Sequence, residues 1–146
     1  VIRLIKSYIK VKVPIRMEHR WKQAPERRVY LREVHPHNFN FCVKIQVFED
    51  DREIEFHDMQ ELINDRLIEW EHDSIHIDSS CETMAKDLLN HLMTMRFIDT
   101  QREITVGVWE DKDCGGIVEY KPSQIKAPPI FLRVDKVDKH EPEKST

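Results

Sequence analysis

Three histidines carry the clearest chemistry in this chain. His19 continues a run in which Ile9, Val11, Val13, Ile15 and Met17 are apolar at every odd position. His35 and His37 extend a second such run backwards, that of Phe39, Phe41, Val43, Ile45 and Val47. Side chains on a β-strand alternate between faces with period two, so each run is apolar on one face and ends that face in histidine. Pairing the strands would bring three imidazoles to one point. That is the ligand set of an open zinc site, with the fourth position left for water or substrate. The expectation is a metal-assisted enzyme.

Other side chains add acid/base and recognition chemistry. Glu71 directly precedes His72, and an acid beside a histidine is the usual means of setting its tautomer and basicity. Glu110 shares the parity of Ile104, Val106 and Val108, which places a carboxylate on the apolar side of a strand end. Such a group is costly to bury without a partner. The guanidine-like edge of a pterin or purine would supply one through paired hydrogen bonds. Ser79 to Glu82 reads as a capping box, with Ser79 as N-cap and Glu82 three residues on.

The elements that must position these groups follow from periodicity. Ser7 to Trp21 reads as a long strand, and Pro14 within it points to an edge or a bulge. Lys22 to Val34 is a polar loop carrying Arg27, Arg28 and Arg32. Asn38 to Glu49 is the second strand, and Asp50-Asp51 turns it into a short third one at Glu53 to Phe56. His57 to Trp70 has Met59, Leu62, Ile63, Leu67 and Trp70 at helical spacing. A second helix after Ser79 is expected to bury Met84, Leu88, Leu89, Leu92 and Met95. Arg102 to Glu110 and Ile117 to Tyr120 are strands, joined through Cys114-Gly115-Gly116. The order β-β-α-α-β-β predicts an α+β fold, an antiparallel sheet with two helices on one face. The edges of so short a sheet favour closure into a ring of subunits. Residues 1–121 form the expected domain, and the proline-containing, charged stretch 122–146 an extended or disordered arm.

Bulk properties narrow the classes. At 146 residues, one domain with a proper core is expected. The formal net charge of -4 argues against general nucleic-acid binding while leaving room for a local basic patch. No apolar stretch approaches the ~18–20 residues that span a bilayer, and no secretory leader pattern opens the chain. Three widely spaced cysteines without a C-x-x-C pair fit a reducing cytosol, so a cytoplasmic protein is expected. With only three glycines, the chain has no Gly-rich phosphate loop.

The layout resembles the 6-pyruvoyltetrahydropterin synthase and 6-carboxytetrahydropterin synthase family, which has the tunnelling fold (T-fold). That family draws zinc ligands from a first-strand histidine and a second-strand His-x-His, matching His19, His35 and His37. The segment His35-Pro36-His37-Asn38-Phe39 looks like its H-G-H-N/S-Y/F, and Trp70 to His76 is similar to its Leu-Asp-His-x-x-Leu-Asn. Ser79 to Glu82 looks like its Thr-x-Glu helix start, and Glu110 matches its pterin-anchoring glutamate. Five motifs in order cover roughly His19 to Tyr120. The resemblance implies a zinc-dependent lyase acting on a dihydroneopterin triphosphate-like substrate. Glu71 and His72 would move protons, Glu110 and Glu82 would line the ring site, and Arg32 would meet the triphosphate. It also implies homo-oligomers, trimers or hexamers closed into a barrel, with sites at subunit interfaces. The sequence departs from the pattern at the family's cysteine base, which is Leu31 here. It departs also at the aspartate of the Asp-His pair (Glu71) and at the glycine between the zinc histidines (Pro36). These departures raise an alternative, a T-fold protein that binds a pterin or purine nucleotide without turnover.

Overall fold

The computed structural model describes residues 5–96 and 98–122. The expected arm lies, beyond Pro122, outside the described residues. Strands β1 (Ser7–His19), β2 (His35–Val47), β3 (Ile104–Glu110) and β4 (Cys114–Tyr120) form one antiparallel sheet in the order β1-β2-β3-β4. Pro14 falls on the edge strand and pairs with Asn40 without a bulge. Helices α1 (Phe56–Asp73) and α2 (Cys81–Met93) cover one face of the sheet. This is the expected α+β arrangement.

Alternation decides which face is covered. Val11, Val13, Phe39, Phe41, Val43, Ile45, Ile104, Val106 and Val108 are buried, and they meet Met59, Ile63, Leu67 and Trp70 of α1 and Met84, Ala85, Leu88 and Leu92 of α2. Burying each large apolar side chain contributes roughly 1.5–3 kcal/mol. A slip of one residue would turn the whole set to solvent, so the register is tightly specified. In that register His19 stands opposite His35, Met17 opposite His37, and Phe39 opposite Glu110. The hydrophobic pattern therefore places the histidines side by side.

Several expected boundaries shift. The short strand at Glu53 to Phe56 is not formed. Glu53 instead turns its carboxylate back to accept the backbone N–H groups of Phe48 and Glu49 and pairs with Arg102 at 2.5 Å, while Glu55 caps α1 by accepting from His57 and Asp58. These side-chain bonds consume the donors that a third strand would have used. β1 ends at His19 rather than Trp21, and β2 begins at His35, so both outer histidines are strand residues. A short 3-10 helix, Glu26–Arg32, occupies the loop between them. The N-cap of α2 is Ser80, whose hydroxyl accepts from the Thr83 N–H, and not Ser79. Leu89 and Met95 only flank the core, being half-buried.

Candidate metal centre

His19, His35 and His37 come together as the alternation requires, with one ring nitrogen from each lying within 4.8 Å of the others. Phe39 is their floor, its ring centroid 5.6 Å from that of His19 and 5.8 Å from that of His37. His19 is buried and the other two are half-buried.

The remaining nitrogens fix the tautomers. His19 donates from Nε2 to the Ser79 carbonyl at 2.7 Å, and His35 donates from Nδ1 to the Glu33 carbonyl at 2.7 Å. His37 faces the Asp111 carboxylate through Nδ1 at 3.2 Å. Carbonyl and carboxylate oxygens only accept, so those three nitrogens carry the protons. The nitrogens left facing one another are His19 Nδ1, His35 Nε2 and His37 Nε2, the last two 2.9 Å apart. Oxygen partners that orient imidazoles in this way are the usual outer layer of a metal site. A divalent ion that favours neutral imidazole, zinc foremost, fits this donor set.

Each outer partner has its own support. Asp111 adopts a left-handed backbone conformation, φ 52°, held by its N–H on the Asn38 carbonyl and by the Asn40 amide on its own carbonyl. Ser79 is held through its hydroxyl, 2.8 Å from His76 Nδ1, and His76 Nε2 lies 2.7 Å from Asp87. His76 is buried, edge-on to Trp70 at 4.2 Å between ring centroids. The Arg20 N–H donates to the Ile77 carbonyl, which ties the end of β1 to the α1–α2 connection.

The centre opens into a cleft of about 620 Å³. Glu110 enters it beside the histidines, with Oε1 3.6 Å from His19 Nδ1 and Oε2 4.0 Å from His37 Nε2. Trp21, Leu31, Cys81, Glu82 and Cys114 are among the residues that line the cleft. β4 passes close to the start of α2, where a Cβ on Gly116 would fall 2.7 Å from Glu82 Cγ. That approach brings Cys81 and Glu82 to the cleft. Burial, with the carboxylates of Glu110 and Glu82 nearby, pushes the Cys81 thiol up to about 11. Cys81 is therefore a protonated thiol at neutral pH.

Three expected site residues stand elsewhere in the single chain. Glu71 and His72 are exposed near the end of α1, outside the cleft, and His72 pairs with Asp73 at 2.8 Å. That carboxylate raises the imidazole above its ordinary value. Arg32 turns back to the Ala24 carbonyl and the Glu26 carboxylate. Four contributors were not singled out from the sequence for this cleft: Asp111, His76, Cys81 and Cys114. Asp111 directly follows the strand-end glutamate, and that adjacency was the one signal available. His76 shares a segment with His72 and differs from it only in burial, which spacing does not show.

No family model matches this chain, and a search of curated proteins finds no match to it. Among the described residues, no helix is long and apolar enough to cross a membrane.

Proposed function

We propose that this chain is a zinc-dependent pterin enzyme of the T-fold type, similar to 6-carboxytetrahydropterin and 6-pyruvoyltetrahydropterin synthases. Its substrate would be a dihydroneopterin triphosphate-like molecule. The observation that carries the reading is the set of three imidazole nitrogens gathered within 4.8 Å of one another beside a carboxylate. When bound, zinc would supply Lewis-acid polarisation of the substrate's side-chain oxygens. His19, His35 and His37 would hold the ion. Glu110 would accept the paired N–H groups of the ring edge, with Glu82 on the same wall of the cleft. Trp21 and Leu31 would keep water from the bound ring. Glu71 and His72, exposed on α1, would serve the cleft of a neighbouring copy in a cytoplasmic trimer or hexamer closed into a barrel. Arg32 would meet the phosphates at that junction.

A second reading has its own observations. Leu31 puts hydrocarbon where the resembled family carries its base, and Cys81 holds its proton at neutral pH. A protein that binds a pterin or purine nucleotide without turnover would look the same. Incubating the zinc-loaded protein with dihydroneopterin triphosphate separates the two. Turnover that is lost in His37→Ala is the expected result. Stoichiometric binding without product would favour the second reading, and neither binding nor product would overturn both.

A further inference from the structure

The sheet face turned away from the helices carries a second cleft, of about 640 Å³, which meets the histidine site only at Asp111, a lining residue whose carboxylate turns to His37. We propose that it binds a small anion joining a planar ring to a short chain of phosphates, a ligand of the nucleoside triphosphate kind. This inference does not rest on the reading of the histidine cleft.

Charge is the first argument. Lys10, Lys12 and Lys44 reach this cleft from β1 and β2, and Lys112 reaches it from the β3–β4 turn. Lys10 and Lys44 are directly opposed across paired strands, a juxtaposition of like charges that costs stability. Among the described residues none of the four makes an ion pair. Among the described residues Lys44 has only the ring of Tyr8, 4.0 Å away. The neighbouring acids are already engaged: Glu103 with Lys6, Glu119 with Lys121, and Asp111 with His37. The described residues thus leave four cations together on one face. An anionic occupant complements them.

The second argument is an aromatic platform. Trp109 lies in this cleft, and two of the chain's three glycines make room for it. A Cβ on Gly115 would fall 2.8 Å from Trp109 Cε3, and one on Gly107 would fall 3.2 Å from Nε1. The indole therefore spans both glycines, close against the sheet. A half-exposed indole held this way offers a face for ring stacking. Trp109 is opposite Asn40, Lys12 is opposite Cys42, and Lys10 and Lys44 are one pair further on. The indole leans over Gly107, which is in the row of Cys42 and Lys12, and at the usual strand rise the row of Lys10 and Lys44 stands about 7 Å beyond it. A ring stacked on Trp109 would send its phosphates along the lysines, with Asn40 and Thr105 as polar walls. The volume suits a small ligand.

The test is calorimetric titration of the full chain with ATP, tripolyphosphate and adenosine, in EDTA so that no divalent ion occupies the histidines. One ATP per chain is expected, with an affinity that falls as salt rises. Lys12→Glu should weaken it at least tenfold, and Trp109→Leu on the order of tenfold. The paired variant Lys10→Ala/Lys44→Ala, which trims only exposed side chains, should weaken it likewise, and His35→Ala should leave it unchanged. The proposal is overturned by absence of ATP binding, by ATP binding that ignores the lysine variants, or by tripolyphosphate binding as tightly as ATP. Loss of ATP binding in His35→Ala would move the ligand to the other cleft and overturn it as well. So would self-association abolished by Lys44→Glu, which would make a second copy the occupant.

Discussion

His35 and His37 face each other through their Nε2 atoms across 2.9 Å, while the Nδ1 of each ring is bound to an oxygen that can only accept. Two lone pairs at that separation repel unless a cation lies between them. The backbone carbonyl of Glu33 and the carboxylate of Asp111 thus turn the two Nε2 atoms toward each other, where a shared proton or a metal ion would sit between them. Replacing Asp111 with Asn should lower zinc affinity by roughly 10- to 100-fold, as loss of an orienting partner does. Competition with a chromophoric chelator measures it. Unchanged affinity would remove Asp111 from the centre.

The third ring is held at one remove. His76 is buried between Trp70, Asp87 and Ser79, and the Ser79 carbonyl orients His19. His76→Ala should cost about 2–3 kcal/mol of stability in urea melts, through a cavity and two orphaned partners. It should also lower zinc affinity. Ser79→Ala breaks the same link without opening a cavity, so it should lower zinc affinity by a similar factor at a smaller cost in stability, and the two variants separate positioning from packing.

Gly115 pairs with Trp109, and a Cβ there would lie 2.2 Å from the Val108 carbonyl. No flexible side chain can yield at that contact. Gly115→Ala is expected to lose about 3 kcal/mol or more, on the scale of forced overpacking. Gly107→Ala meets only the indole edge at 3.2 Å and should cost less than about 1.5 kcal/mol. Thermal melts of the two variants side by side check the order.

The far end of the sheet should respond to pH. Arg102, helped by the backbone N–H groups of Phe48 and Glu49, holds the Glu53 carboxyl at about 2 instead of 4.5. A depressed carboxyl stabilises the fold above its ordinary value, and that contribution is lost as pH falls from 4.5 through 2. Glu53→Gln should flatten this loss, by on the order of 2 kcal/mol in denaturant titrations. Tyr8, hydrogen-bonded to Glu103, is pushed up to about 12 from 10. Its contribution is present below pH 10 and lost as pH rises through 12, and Tyr8→Phe should remove that alkaline slope.

Period-two alternation made the convergence of the three histidines legible, because His19 and His35 to Phe39 sit in uninterrupted strands whose buried face admits one register. The helices were legible for the same reason, from Met59, Ile63 and Leu67 and from Met84, Leu88 and Leu92. The turn at Glu53 was hidden, because its residues suit a strand and only the distant Arg102 and the local N–H groups decide otherwise. Ser79 and Ser80 are chemically equivalent in sequence, and the bond from His76 to Ser79 selects Ser80 as the cap. The surroundings of Glu71 and His72 depend on where α1 ends relative to the cleft, which no spacing within the segment encodes.

Zinc titration of the metal-free full chain, read by competition with a chelator and by elemental analysis after gel filtration, tests the central claim most directly. The account predicts one ion per chain, retained through the column and lost in His19→Ala, His35→Ala and His37→Ala alike. Weak, substoichiometric uptake that these three variants leave unchanged would contradict it.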